Sequence, residues 1–139
     1  MSSPARDQDV FPLPVLFFSV GGVHFGVSAD QVRSTAVHGL EGDGREIWLD
    51  REMDCPGGTR PLSFTALDVR LAGGESLTVI VDAMEEITEV EALDIRPLPP
   101  LVAPHARRKG LWGVIPRAGR MYLLMDFSLW KEPLKGTHS

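Results

Sequence analysis

Three pairs of short, β-rich segments, each joined by a turn that contains glycine, constrain the fold of this chain most. Glycine adopts positive φ without the steric cost that other residues incur, and the tight turns of β-hairpins need that conformation. Each pair therefore predicts two adjacent strands. The pairs are residues 15–20 and 23–27 around Gly21 and Gly22, residues 63–71 and 76–81 around Gly73 and Gly74, and residues 111–115 and 120–125 around Arg117, Ala118 and Gly119.

Two further elements are predicted between the first and second hairpins. Ser28 and Gln31 have the spacing of a capping box, which predicts a helical turn ahead of a strand at residues 32–37. The segment 39–61 is glycine-rich and acidic, and we expect one strand in it at residues 46–49. A segment of this length between strands is typical of a functional or mobile loop.

The second half of the chain is also predicted to consist of short elements joined by turns. A short turn is expected at residues 91–94, and residues 95–100 must run extended because their prolines fix φ and disfavour helix in the preceding residues. Asp126 is placed to cap a helix at residues 127–131. About eight to ten short strands with little helix and no alternation of strands and helices predict an all-β fold built from barrels.

Composition excludes several classes of protein. A chain of 139 residues with 43% apolar residues is sufficient for one domain or two small lobes that share a core. The net charge of −5 argues against a nucleic-acid binder, which needs a basic surface to displace counterions from phosphates. With Cys55 as the single cysteine, neither an internal disulfide nor a thiolate zinc cluster can form.

The most apolar stretch of the N-terminal part does not read as a targeting segment. Residues 10–27 are interrupted by Pro12, Pro14 and Gly21, and acidic residues precede them where a signal peptide would carry positive charge. No run reaches the ~18 apolar residues of a spanning helix. We therefore predict a cytoplasmic protein.

Two apolar runs each lead into an aspartate. Residues 79–81 and 123–125 are continuously apolar, which predicts burial on both faces of the strand, and Asp82 and Asp126 follow them. General acid-base catalysis needs two groups close together with separated pKa values. Because no His or Lys lies at an informative spacing, we expect the aspartates to cap turns or to orient partners.

Other catalytic and cofactor motifs are missing from the sequence. The histidines His24, His38, His105 and His138 are dispersed, with no His-x-His or His-x-x-x-His pair. No G-x-S-x-G nucleophile elbow and no phosphate-binding glycine motif occurs. We predict no catalytic residue, no metal site and no cofactor.

Charge is distributed unevenly, and this favours contact with a protein. A basic cluster and an acidic run of opposite sign would orient a partner more than they would raise its affinity. The cluster consists of Arg107, Arg108, Lys109, Arg117 and Arg120, and the run of Glu85, Glu86, Glu89, Glu91 and Asp94.

Four segments in order resemble the CheW-like domain, the adaptor fold of bacterial chemosensory arrays. Residues 15–34 resemble its opening hairpin, residues 77–87 its "VD" strand, residues 92–100 its "I-x-P-x-P" segment and residues 111–130 its "G…G-R-x-x-x-L-x-D" ending. The resemblance implies two small packed β-barrels of SH3-like or OB-like type. It implies a flexible arm at residues 1–14, a CheW-like domain at residues 15–131 and a tail at residues 132–139. We divide the domain into barrels at residues 15–62 and 63–131, with strand exchange between them left open.

The resemblance also implies a function. Members of this family are not enzymes; they bridge the cytoplasmic tips of chemoreceptors to the regulatory domain of a histidine kinase, and hence associate with membrane receptor arrays. Receptors dock in a groove between the barrels, and hydrophobic barrel surfaces contact the kinase. The residues expected in the groove are Val32, Arg33, Val81, Asp82 and Met84.

One region departs from the family pattern. The family carries "G-x-x-x-L-R-G" followed by "P-x-x-D-L" in its first barrel, and residues 39–61 show neither motif cleanly. We interpret this as a shortened first barrel, in which residues 60–62 are the remnant. Alternatively, residues 61–69 are themselves the second of these strands.

Two other functions stay open. The chain could be a divergent CheW-like module that binds a protein of a non-chemotaxis system, or a small β-barrel enzyme that uses Asp82 or Asp126. The enzyme hypothesis requires a concave pocket in which these carboxylates converge, whereas the adaptor hypotheses require an apolar groove.

Overall fold

The chain folds almost entirely into short strands. A computed structural model describes residues 12–38, 46–53, 55, 63–71 and 73–130, and within them lie nine strands and two α-helices. The strands are β1 (Leu13–Val20), β2 (Val23–Ser28), β3 (Val32–His38), β4 (Ile47–Trp48), β5 (Phe64–Arg70), β6 (Ser76–Val81), β7 (Ala83–Val90), β8 (Leu111–Arg117) and β9 (Arg120–Met125). The helices are α1 (Leu49–Glu52) and α2 (Ala103–Arg108), and 3₁₀ turns occur at Ala29–Gln31, Ala92–Asp94 and Phe127–Leu129.

The described strands form two sheets. The first sheet has the order β7-β1-β2-β9-β8, and the second has the order β3-β5-β6-β4. Neighbouring strands are antiparallel except for β2 with β9 and β4 with β6. This architecture confirms the predicted all-β fold class.

A backbone bridge closes the first sheet. The Arg96 N–H donates to the Val114 carbonyl at 2.8 Å, and the Val114 N–H donates to the Arg96 carbonyl at 2.9 Å. Arg96 follows β7 after one 3₁₀ turn, whereas Val114 lies on β8 at the opposite end of the strand order. Gly113 permits this approach, because a Cβ there would lie 3.1 Å from the Arg96 carbonyl oxygen. The first sheet is therefore a barrel.

Strand β1 is buried on both faces and separates two apolar cores. Leu16 and Phe18 belong to the larger core, which the two sheets share, whereas Val15 and Phe17 face the interior of the barrel. The continuous apolar runs of β6 and β9 are also buried, apart from the half-buried Leu123. Full burial of each such side chain contributes about 1.5–3 kcal/mol to the stability of the folded state.

The chain passes from one sheet to the other at two points in the described part. The 3₁₀ turn Ala29–Gln31 connects β2 of the first sheet to β3 of the second. Asp82 alone connects β6 of the second sheet to β7 of the first. We call these two connections the crossings.

The three predicted hairpins are confirmed. Gly21 and Gly22 have φ of 56° and 82°, as a primed turn requires, and Gly74 has φ of 88°. At the third hairpin Ala118 and Gly119 have φ of 53° and 75°. The turn at residues 91–94 is also confirmed as the 3₁₀ turn Ala92–Asp94.

Four local predictions need correction. Ser28 makes no cap hydrogen bond to the backbone; its hydroxyl donates to Asp30 instead, at 2.7 Å. The strand predicted at 46–49 is reduced to Ile47–Trp48, since the chain turns into α1 at Leu49. The helix predicted at 127–131 ends as a 3₁₀ turn at Leu129. Helix α2 was not predicted; its Arg107 and Arg108 were noted only as members of the basic cluster.

Each sheet combines strands from separate parts of the chain. Strands β1 and β2 belong to the first sheet with β7, β8 and β9, and β5 and β6 belong to the second sheet with β3 and β4. The parallel pairing of β2 with β9 joins the two ends of the described chain within the first sheet. The division into barrels at residues 15–62 and 63–131 stays a prediction. Residues 1–11 and 132–139 of the predicted arm and tail, and 39–45, 54 and 56–62 of the acidic segment, lie outside the described residues.

Candidate functional site

Asp82 fixes the crossing on which it lies. Its backbone N–H donates to the Ser19 carbonyl at 3.0 Å, and its carboxylate accepts the Gly21 N–H at 2.8 Å. Both partners belong to the β1–β2 hairpin, so the carboxylate holds the start of β7 against that turn. A carboxylate that accepts a backbone N–H is a structural cap of the kind expected at a strand end.

Asp126 and Gln31 fix the other crossing. One Asp126 carboxylate oxygen accepts from Gln31 Nε2 at 2.6 Å, from the Ser128 N–H at 2.9 Å and from the Ser128 hydroxyl at 2.5 Å. The Gln31 side-chain carbonyl accepts the Phe127 N–H at 2.9 Å. The predicted cap at Asp126 is therefore present, and it also ties the crossing at residues 29–31 to the end of β9.

These contacts leave the two carboxylates in structural roles. Each accepts hydrogen bonds from backbone or from Gln31 and Ser128, and neither lines the groove described below. Among the described residues, no three His, Cys, Asp or Glu side chains are grouped so that they could hold a metal ion.

The five residues predicted as a binding groove do not form one cluster. Val32 pairs with Val69 at one end of β5, and Val81 pairs with Thr65 near the other end. The two positions on β5 are four residues apart, about 13 Å at the usual rise of a strand. The prediction therefore joins two separate regions of the surface.

Individually, these residues differ in what they can contact. Val81 is 1% exposed and packs in the shared core, so it has no surface for a partner. Val32 is half-buried against the same core, and the exposed Arg33 donates from Nη1 to the Ser76 hydroxyl at 2.8 Å. Met84 is 39% exposed on β7, next to Asp82. Arg33 and Met84 are thus the accessible members of the set.

A different region of the molecule is concave and apolar. A groove of about 590 Å³ lies on the outer face of the β8–β9 hairpin, beneath the proline-rich residues 95–100 and α2. We call it the apolar groove. It is lined by Arg96, Pro97, Leu98, Pro99, Val102, Ala106, Leu111, Val114, Met121 and Leu123.

Alternation along β9 and the prolines build this groove. Met121 and Leu123 point to the groove, whereas Tyr122 and Leu124, which alternate with them, are buried in the barrel interior. The prolines hold their segment extended, and α2 follows with a proline at its first turn. The β8–β9 pair is apolar on both faces, and residues 95–100 together with α2 cover only part of its outer face.

A tight contact fixes α2 as a wall of the groove. After α2 the chain turns at Gly110, whose φ is 91°. A Cβ at this position would lie 2.7 Å from Trp130 Nε1. The Trp130 indole N–H donates to the Lys109 carbonyl at 3.0 Å, and the Lys109 ammonium donates to the Glu52 carbonyl at 3.1 Å. These contacts connect α2 to the C-terminal end of α1.

Exposed apolar side chains and one cation line the groove. Met121 is 56% exposed and Val102 49%, and Leu101, which precedes Val102, is 96% exposed. Arg96 is the one charged residue of the lining. The residues predicted for binding lie elsewhere and stay a prediction; the alternation of residues 121–124 and the three prolines indicate this surface in the sequence.

The acidic residues of β7 divide into two groups. Glu85 accepts from the Tyr122 hydroxyl at 3.0 Å and pairs with His24 at 2.8 Å, and Glu86 pairs with Arg117 at 2.6 Å. Glu89, Glu91 and Asp94 are exposed, and within the described part of the chain no ion pair engages them. The free acidic charge therefore lies at the end of β7 and in the turn that follows.

Comparison with solved structures identifies the fold. The scaffolding protein TtCheW from Thermoanaerobacter tengcongensis superposes with a TM-score of 0.70 over 93% of this chain and 98% of its own, at 16% sequence identity. The chain has a CheW-like fold. No protein-family model and no curated protein matches the sequence.

The CheW-like fold confirms the resemblance drawn from the four sequence segments, at the level of structure. The match covers nearly the full length of both chains, so both sheets participate in it. Among the described residues, no helix is long and apolar enough to cross a membrane.

Proposed function

We propose that the protein is a non-enzymatic adaptor that couples chemoreceptors to a histidine kinase in bacterial chemosensory signalling. The observation that carries the proposal is the CheW-like fold along 93% of the chain, shared with a protein described as a scaffold. The engagement of Asp82 and Asp126 in the crossings supports a role without catalysis. In this role the protein works in the cytoplasm at membrane receptor arrays.

We assign the kinase contact to the apolar groove. A partner domain that inserts an apolar side chain there would cover Leu101, Val102 and Met121, which are costly to leave in water. Apolar anchors seated in pockets supply most of the affinity of protein interfaces. Arg96 at the rim would contribute orientation.

We assign the receptor contact to the accessible residues of the predicted set. Arg33 and Met84 would touch the receptor tip, and Asp82 and Val32 would position them through the β1–β2 turn and the shared core. Val81 supports this surface from within the core. The two ends of β5 would then be two contact regions rather than one groove.

Binding of two purified partners tests the proposal. The receptor signalling tip and the kinase regulatory domain of the source organism are immobilised separately, and the affinity of the full chain for each is measured. Met121→Asp should weaken kinase binding by at least about tenfold through a desolvated charge in the groove. Ile87→Asp is the matched control, because Ile87 has the same 56% exposure on another strand.

The two surfaces should respond separately. Arg33→Glu should weaken binding to the receptor tip and leave kinase binding unchanged, since Arg33 is on β3 and does not line the apolar groove. A protein that binds neither partner would overturn the proposal.

Two findings favour a second function. The identity of 16% to TtCheW and the lack of a matching family model support a divergent module that binds a protein of a non-chemotaxis system. Neighbouring genes for receptors and a kinase would favour the first function. A pull-down from the source organism that recovers a different regulator in place of both would favour the second.

A further inference from the structure

The apolar groove has the size and the chemistry of a small-molecule site. Its volume of about 590 Å³ lies within the range of about 300–1,000 Å³ found for ligand pockets. Nine of its ten lining residues are apolar, and the tenth is Arg96. A ligand that fits must therefore be largely hydrocarbon and carry at most one polar group.

The charge around the groove determines the sign of that polar group. Among the described residues, no hydrogen bond or ion pair engages the side chains of Arg96, Arg107, Arg108 or Arg120. Of these four arginines, Arg96 alone lines the groove. No acidic residue lines the groove, although the chain as a whole carries a net charge of −5.

We propose that the apolar groove binds a free, single-chain amphiphilic carboxylate of the fatty-acid type. The alkyl chain lies along Leu98, Val102 and Met121, and the carboxylate accepts charge-assisted hydrogen bonds from the Arg96 guanidinium. The ligand is a monomer from solution and not a bilayer, because its carboxylate must reach an arginine that lines the groove itself. This inference goes beyond the proposed function, which assigns the same groove to the kinase, so the ligand and the kinase would exclude each other there.

Titration calorimetry of the full chain with sodium decanoate, below its micelle concentration, tests the proposal. Decanoate should bind one molecule per chain, and decyltrimethylammonium, with the same chain and the opposite charge, should bind at least about tenfold more weakly. Arg96→Gln should weaken decanoate about tenfold, since it removes a charged donor but keeps an amide. Ile87→Asp should change decanoate binding less than about twofold, as surface changes remote from a site do.

Two groove variants make the test independent of any one substitution. Met121→Asp and Val102→Asp each place a carboxylate at the rim, and each should reduce decanoate binding by more than about tenfold. Thermal unfolding identifies a variant that has lost its fold, in which case the other decides. The proposal is overturned if decanoate does not bind, if both folded variants bind it like the unmodified chain, or if the cationic amphiphile binds equally well.

Vesicles separate the free carboxylate from a membrane lipid. Flotation with phosphatidylglycerol vesicles should leave the protein in the soluble fraction. Co-flotation without binding of decanoate would assign the groove to an anionic bilayer and overturn the proposal. Because every measurement uses the purified chain alone, a negative result here leaves the adaptor function to be decided by its own binding experiment.

Discussion

The crossings are built from polar side chains that find partners within the molecule, whereas the apolar groove is built from apolar side chains that stay exposed. At the crossings, Asp82, Gln31 and Asp126 place their polar atoms against backbone and side-chain donors, so these groups are satisfied within the molecule. In the groove, Met121 and Val102 have no such internal partners and stay exposed. At the crossings polar groups tie distant parts of the chain together, whereas in the groove apolar side chains face outward.

This contrast reverses the usual assignment of roles. A partly buried carboxylate draws attention as a catalytic or recognition group, yet here its donors come from the same chain. An exposed apolar side chain is ordinary when isolated, but a contiguous concave patch marks an interaction site. The site must therefore be sought where burial is incomplete rather than where polar groups meet.

The largest effect is expected at Asp126. Asp126→Ala removes the acceptor of three hydrogen bonds and leaves Gln31 and Ser128 with unpaired donors, at a cost of about 2–4 kcal/mol in the free energy of unfolding. Urea unfolding, monitored by tryptophan fluorescence, measures this loss of stability. Asp94→Ala, at an exposed carboxylate, should change stability by less than about 0.5 kcal/mol. Equal effects would show that the crossing is not held by this carboxylate.

The next effect tests the wall of the groove. Gly110→Ala adds a Cβ at a φ of 91° against Trp130, and should cost about 2–3 kcal/mol through strain and repacking. Gly73→Ala is the matched control, since a Cβ there meets no atom within 4 Å. If both variants melt like the unmodified chain, α2 is not fixed by this contact.

A smaller effect is expected at Asp82. Asp82→Ala removes one hydrogen bond to Gly21 in a half-buried setting, and should reduce the free energy of unfolding by about 1–2 kcal/mol. Asp82→Asn keeps an acceptor oxygen and should recover part of this loss. An Asn variant as unstable as the Ala variant would mean that the negative charge, and not the hydrogen bond, holds the crossing.

The smallest effect on stability is expected at Arg33. Its hydrogen bond to Ser76 is exposed, so Arg33→Ala should change stability by less than about 0.5 kcal/mol. Its effect on binding to a receptor tip should nevertheless be measurable if the proposed contact is correct. A large loss of stability would instead show that Arg33 stabilises the fold, as the residues at the crossings do.

Local patterns predicted the hairpins but not the assembled surfaces. Gly21, Gly22 and Gly119 impose their turns wherever they occur, because the requirement for positive φ is a property of a few adjacent residues. The bond between Gln31 and Asp126 joins residues 95 positions apart, and the spacing of Gln31 from Ser28 suggested a local cap instead. Long-range partners of this kind cannot be read from one sequence.

The same limit explains why the apolar groove was not predicted. Val81 was read as a groove residue from its place in a motif, but its strand lies between β5 and β4 and is covered on both faces. The apolar groove depends on α2, which appears in the sequence as a basic stretch, and on the turn at Gly110. Its residues come from segments that only the barrel closure at Arg96 brings together.

The parallel pairing of β2 with β9 has a consequence for how the chain acquires its structure. Phe25 and its partner Leu123 are 98 positions apart, so the first hairpin cannot complete its sheet until β9 has left the ribosome. Long-range pairing of this kind slows folding and leaves apolar strands uncovered in the meantime. Until β9 emerges, β1 and β2 are the segments most in need of protection by a chaperone.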